Sequence, residues 1–157
     1  MAGSGAPETG GVDASGLNVV VVAGTWHEVI TNGLIAGAKR VLDATGATYR
    51  VVRVPGSFEL PVAANAAFEG GADAVVALGV IIRGGTPHFE FVSSAATDGL
   101  TRVALDAGKP VGFGVLTLDD EQQGLDRAGL EGSQEDKGEE AADAAIRTAL
   151  VLRELRG

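Results

Sequence analysis

Residues 74–82 read AVVALGVII, nine positions in a row without a polar side chain. The run is too short for a membrane helix, which needs about 20 apolar residues. It is also too continuous for a half-exposed strand, where apolar and polar residues alternate. Such a segment is stable as a strand covered on both faces, which means a parallel sheet with helices on either side. The rest of the chain supplies matching parts. LNVVVVA (17–23) is apolar almost throughout, and YRVVRV (49–54) and VGFGVL (111–116) read as two further strands. Between them lie longer stretches with apolar residues at helical spacing, as in Ile30, Leu34, Ala38, Val41 and Leu42 before Gly46.

Local signals set the expected boundaries. Thr25 and Glu28 have the spacing of a capping box at the first helix. Ser57 is a candidate cap for a helix over 58–69, with Pro61 tolerable near the first turn. Thr86-Pro87 opens a helix that runs to about Ala107, in the preferred order of cap and then proline. Asp119 and Gln122 form another box, starting a short helix that ends near Ala128-Gly129. After an irregular polar segment over 130–138, Glu139 to Arg156 reads as a closing helix with charges matched to its dipole. Residues 1–16, small and polar, read as a flexible N-terminal arm, leaving 17–157 as one domain. Alternating strands and helices predict an α/β fold, a three-layer α/β/α sandwich of flavodoxin-like type with a four-stranded parallel sheet.

Composition excludes several functions. Twelve Lys and Arg against 21 Asp and Glu give a net charge of −9, the wrong sign for a nucleic-acid binder. With no cysteine and two histidines, neither a thiolate nucleophile nor an ordinary metal-ligand set is available. No apolar stretch reaches membrane-spanning length and the first residues lack a signal-peptide pattern, so the expected location is the cytoplasm.

In open α/β sheets ligands bind beyond the carboxyl ends of the strands, which directs attention to the loops starting at Gly24, Pro55, Arg83 and Thr117. IRGGTPHFE (82–90) is the most informative. Two glycines allow close backbone approach, and the amides of Gly85 and Thr86 at a helix start suit an anion. This resembles a phosphate cradle but lacks the Walker pattern. His88 falls in the first turn of the helix, where the dipole and a bound phosphate would act on it in opposite senses. It is either a proton-transfer group or a histidine hydrogen-bonded at a helix start. Trp26, the only tryptophan, follows the first strand and is either core or a stacking platform for a planar ligand. His27 reads as its solvated neighbour. Ser57, Phe58 and Glu59 offer amides, a hydroxyl and a carboxylate suited to polyol hydroxyls, although Glu59 equally serves a helix dipole. By residue type alone Phe113 is a core position on a strand, and Arg127 and Lys137 are solvated charges.

VPGSFELP (54–61), ALGVIIRGGTPHFEFV (77–92), VGFGVLT (111–117) and the RAG and DKG signatures (127–129 and 136–138) resemble the lumazine synthases, above all their actinobacterial members, over about residues 17–155. The resemblance implies a transferase of riboflavin biosynthesis. It would condense 5-amino-6-(D-ribitylamino)uracil with 3,4-dihydroxy-2-butanone 4-phosphate to give 6,7-dimethyl-8-ribityllumazine, phosphate and water, with no metal or organic cofactor. It implies that Trp26 stacks on the pyrimidine, that backbone groups of Val80, Ile81 and Ile82 read its edge, and that Ser57, Phe58 and Glu59 hold the ribityl chain. Gly85, Thr86 and Arg127 would bind phosphate, His88 would move protons, and Phe113 and Lys137 would complete the pocket. Implied partners are the two small-molecule substrates, further copies of the chain in a pentamer or larger homo-oligomer, and riboflavin synthase. Phe113 and Arg127 would reach in from the neighbouring subunit. The nine-residue spacer AGLEGSQED between Arg127 and Lys137 is longer than the pattern of shell-forming members and favours a bare pentamer. A protein that keeps the fold to bind a flavin or build a shell without turnover is the alternative. An electron-carrying flavodoxin would need a hydroxyl-rich phosphate loop after the first strand, which Gly24-Thr25-Trp26-His27 does not supply.

Overall fold

The structure, a computed structural model, describes residues 4–157. Strands β1 (Asn18–Ala23), β2 (Thr48–Arg53), β3 (Ala74–Ile82) and β4 (Val111–Leu118) form one sheet in the order β2-β1-β3-β4, every pair parallel. The helices are α1 (Glu28–Thr45), α2 (Leu60–Glu69), α3 (His88–Ala107), α4 (Glu121–Leu125) and α5 (Lys137–Arg156). α1 and α5 cover one face and α2 and α3 the other. The all-apolar run of β3 divides accordingly: Ala74, Val76, Leu78 and Val80 pack towards α1 and α5, while Val75, Ala77 and Ile81 pack towards α2 and α3. Burying a Val, Leu or Ile in this way contributes about 1.5–3 kcal/mol each, which is why this strand sits at the centre.

Two consequences of the order position the site. The chain leaves β1 for β2 on one side and returns past β1 to β3 on the other, so a crevice opens at the carboxyl ends of β1 and β3. The strands also differ in length. β1 pairs with β3 only as far as Ala23 opposite Leu78, whereas β3 continues beside β4 to Ile82 opposite Leu118. Residues 79–82 therefore turn one backbone edge towards open space instead of a strand.

Several helix starts depart from the expected caps. Thr25 does not cap α1. Its hydroxyl donates to the Pro55 carbonyl oxygen at 2.6 Å, and α1 begins after His27. Ser57 does not cap a continuous helix either. A 3₁₀ turn over Ser57–Glu59 comes first, capped at Gly56, and α2 follows with Pro61 in its first turn. At α3 the cap position falls on Pro87, and the Thr86 hydroxyl accepts a long 3.4 Å bond from the His88 amide. The Asp119 box is shifted by one residue: Asp120 caps α4 through the Gln123 amide at 3.0 Å, and the helix ends at Leu125. α5 starts two residues earlier than expected because Asp136 caps it, accepting from the Glu139 amide at 3.0 Å. Gly46, by contrast, ends α1 as expected, in a left-handed conformation with φ 81°.

α5 and the turn before it lie hard against α1. A side chain at Gly33 would meet the Ala128 carbonyl oxygen at 2.6 Å, and one at Gly37 or Gly138 would run into Asp136 or the Leu34 backbone. Arg40 of α1 closes the contact through ion pairs to Asp136 and, at 3.0 Å, to Glu139. The stretch expected to be a flexible arm is held from Thr9 onward. Asp143 of α5 accepts from the Gly10 amide at 2.8 Å while Arg147 donates to the Gly10 carbonyl, and Ala14, fully buried, donates to Thr45 at 2.7 Å. Residues 1–3 of that stretch lie outside the described residues.

Candidate active site

An open cleft of about 730 Å³ sits on the overhanging end of β3. Its floor is Val80, Ile81 and Ile82; its walls are Trp26 and His27 after β1, Gly56 to Glu59 after β2, and Gly84, Thr86, His88 and Phe89 at the start of α3. Parallel strands deliver all these loops to the same end of the sheet, so three chain segments far apart in sequence share one cavity.

Trp26 is 67% exposed and Phe58 63%, so neither is a core residue. Both loops that carry them are tied down. The Thr25 amide and hydroxyl both donate to the Pro55 carbonyl, at 3.3 and 2.6 Å, and the Arg53 guanidinium donates to the Gly24 carbonyl at 2.9 and 3.2 Å. Glu59 accepts from the Gly56 amide at 2.8 Å, which fixes the 3₁₀ turn and leaves its second oxygen for a ligand. Ser57 is buried against Gly79, where any side chain would collide with its hydroxyl and with Leu60. The absence of a Cβ at Gly79 lets the turn settle directly on β3.

On the opposite wall His88 is exposed at the first position of α3. A Cβ at Gly84 or Gly85 would meet nothing within 4 Å, so nothing in the chain's own packing requires glycine there. Gly85 itself sits between two lining residues, Gly84 and Thr86. Arg83, next to this loop, is already engaged. It pairs with Asp119 at 2.9 Å and its guanidinium lies 4.4 Å from the centre of the Phe89 ring. No Lys or Arg among the described residues lines the cleft.

The remaining expected residues lie elsewhere. Phe113 is 48% exposed on the edge strand β4, which corrects its reading as core. Arg127 stands on the turn after α4 and Lys137 at the first position of α5, and both face Glu135. Lys137 Nζ is 3.0 Å from one carboxylate oxygen and Arg127 Nε 3.9 Å from the other. They are thus paired rather than merely solvated. Arg127 also donates to the Gln123 carbonyl at 2.9 Å, and Lys137 reaches Glu140 at 3.0 Å. Burial works against the Lys137 ammonium, but the hydrogen bonds and charges of Glu135 and Glu140 outweigh it and raise the amine above the usual lysine range.

Four positions escaped sequence reasoning. Gly56 and Gly79 act through packing that no local pattern reveals, Thr31 donates its buried hydroxyl to the Trp26 carbonyl at 2.7 Å, and Glu135 was one acid among 21. The signal for Thr31 was its place in the apolar stripe of α1, one residue after Ile30. Among the described residues no group of three His, Asp or Glu side chains is arranged to hold a metal ion, and no helix is long and apolar enough to cross a membrane.

Sequence comparison agrees with this architecture. A family model described as 6,7-dimethyl-8-ribityllumazine synthase matches residues 16–153. Proteins of that name from Leifsonia xyli subsp. xyli and Clavibacter michiganensis subsp. michiganensis are 73% and 69% identical to the chain, each over 100% of it and over 100% and 99% of their own lengths. A third, from a Nocardioides species, is 61% identical over 99% of the chain and 97% of its own length. With the match running through both walls of the cleft and the α4–α5 turn alike, the chain belongs to the 6,7-dimethyl-8-ribityllumazine synthase family.

Proposed function

We propose that the cleft on β3 is one half of the active site and that the α4–α5 turn of an adjacent copy supplies the other half. The reaction is that of the family: 5-amino-6-(D-ribitylamino)uracil and 3,4-dihydroxy-2-butanone 4-phosphate condense to 6,7-dimethyl-8-ribityllumazine, phosphate and water. In this reading the Trp26 ring stacks on the pyrimidine while the free backbone edge of Val80, Ile81 and Ile82 reads its amide groups. Ser57, Phe58 and Glu59 hold the ribityl hydroxyls. Gly85 and Thr86 receive the phosphate with Arg127 from the neighbour, and Phe113 and Lys137 close the pocket. His88 moves protons as the amine attacks the butanone carbonyl, a first water leaves, phosphate is eliminated, the ring closes and a second water is lost. Holding two substrates in register contributes up to about 7–11 kcal/mol, and a placed acid–base group about a hundred- to ten-thousand-fold in rate.

The observation that carries this reading is a mismatch. A cleft that must accept a phosphorylated substrate has, among the described residues, no Lys or Arg in its lining, while two cations sit together on another surface of the same fold. A leaving phosphate needs fixed positive charge beside it. A ring of copies, a pentamer in our reading, brings the two surfaces together. The product is the substrate of riboflavin synthase, which gives that enzyme reason to associate with this one, and both would work in the cytoplasm.

Subunit complementation tests the proposal. At a butanone phosphate concentration below the KM of the parent, His88→Ala and Arg127→Ala variants, each far slower than the parent alone, should regain lumazine fluorescence when unfolded and refolded together. In mixed oligomers some sites combine an intact His88 with an intact Arg127 of the next copy. Failure of mixed oligomers to regain turnover would place both residues in one chain's site and overturn the reading.

A further inference from the structure

The geometry points to Thr31 as the residue that positions Trp26 for the aminouracil. It rests on the reading of Trp26 as the stacking platform. An exposed indole is not held still by its own packing, because an aromatic side chain with little around it has several rotamers open to it. Here the constraint comes from below and behind. Thr31, fully buried in the second turn of α1, donates its hydroxyl to the Trp26 carbonyl oxygen at 2.7 Å. Its amide donates to the His27 carbonyl at 3.0 Å, so one residue holds two consecutive carbonyls of the loop.

The intervening backbone is unusual. His27 is the only non-glycine residue with positive φ among the described residues, at φ 54° and ψ 66°. A left-handed turn costs a residue with a Cβ about 1–2 kcal/mol, and persists only where its surroundings fix it. The hydroxyl bond lies on one side of that turn and the first helical bond on the other. The ring then lies close over Gly56, where a Cβ would stand only 3.2 and 3.3 Å from the indole Cδ1 and Nε1. Thr31 does not itself line the cleft and meets it only through the Trp26 backbone. Its contribution is to choose the direction from which Trp26 leaves the backbone.

Trp26 is the only tryptophan, so its fluorescence reports this one ring. The test compares Thr31→Val, which keeps the shape and removes the donor, with Thr31→Ser, which keeps the donor. Thr31→Val should lower the anisotropy of the tryptophan emission in the free protein. It should raise KM for the aminouracil about three- to tenfold, as expected for one lost hydrogen bond, with KM for the butanone phosphate unchanged. Thr31→Ser should restore both. Should the valine variant not fold, Thr31→Ala removes the same donor and carries the same expectations. Unchanged anisotropy, or an equal rise in both KM values, would overturn the inference and leave Thr31 a merely structural residue. A Trp26→Ala variant separates the two claims. If it leaves KM for the aminouracil unaltered, the platform reading fails, whatever the Thr31 variants do to the anisotropy.

Discussion

The cleft on β3 and the α4–α5 turn are built on opposite plans. The cleft exposes its working groups. Trp26, Phe58 and His88 all face outward, and the glycines at 84 and 85 have open space around them. The turn covers its own. Glu135 stands between Arg127 and Lys137, and Gln123 takes a further bond from Arg127. The loop is also cross-linked by its backbone. The Lys137 amide donates to the Arg127 carbonyl at 2.9 Å, and the amides of Gln134 and Glu135 both donate to the Asp126 carbonyl at 2.9 Å. In one region Trp26, Phe58 and His88 carry no structural bond of their side chains, so substitutions at these three act on chemistry. In the other the charged groups hold the fold and, in the proposed reading, also serve a neighbouring copy, so substitutions act on both.

His88→Ala should show the largest effect on rate, a fall in turnover of about a hundred- to ten-thousand-fold. As an exposed residue at a helix start, its loss should shift stability by no more than about 0.5 kcal/mol. Turnover assays and thermal unfolding on the same preparation check both halves. A lowered melting temperature would break the contrast. Arg127→Ala comes next, with KM for the phosphorylated butanone up by about ten- to a hundredfold, the range of a lost charged hydrogen bond. KM for the aminouracil should move far less, and an equal change in both would remove Arg127 from the phosphate site. Glu135→Gln probes the turn alone. It should leave kcat close to that of the parent while lowering the melting temperature by roughly 2–6 °C, because two partly buried cations lose their shared counter-charge. Unchanged thermal unfolding would show that this ion pair is no part of what holds the turn.

Much of the architecture was legible because burial on both faces leaves a plain mark. β3 begins and ends where AVVALGVII does, Gly46 closes α1 as sequence suggests, and α3 ends at the expected Ala107. Caps were less legible, since a Thr or Asp side chain chooses among partners that only the folded chain provides. Thr25 bonds to Pro55 across the loop instead of to its own helix, and Asp136 was hidden among charges although it caps α5 and pairs with Arg40. Within the site, the residues of the cleft were readable from their place after strands. The partners of Arg127 and Lys137 were not, because they depend on a turn whose path is set by close contact with α1 through Gly33 and Gly37.

The extra residues of β3 beyond Leu78 carry a consequence for how such a protein can change. The shelf proposed to carry a planar molecule is made of main chain, and its height depends on how many rungs one strand has beyond its neighbour. Side chains around the rim can be exchanged to suit a different ring without moving that shelf. Lengthening β1 by two or three rungs would instead fill the space with hydrogen-bonded backbone and abolish the binding place, whatever residues did it.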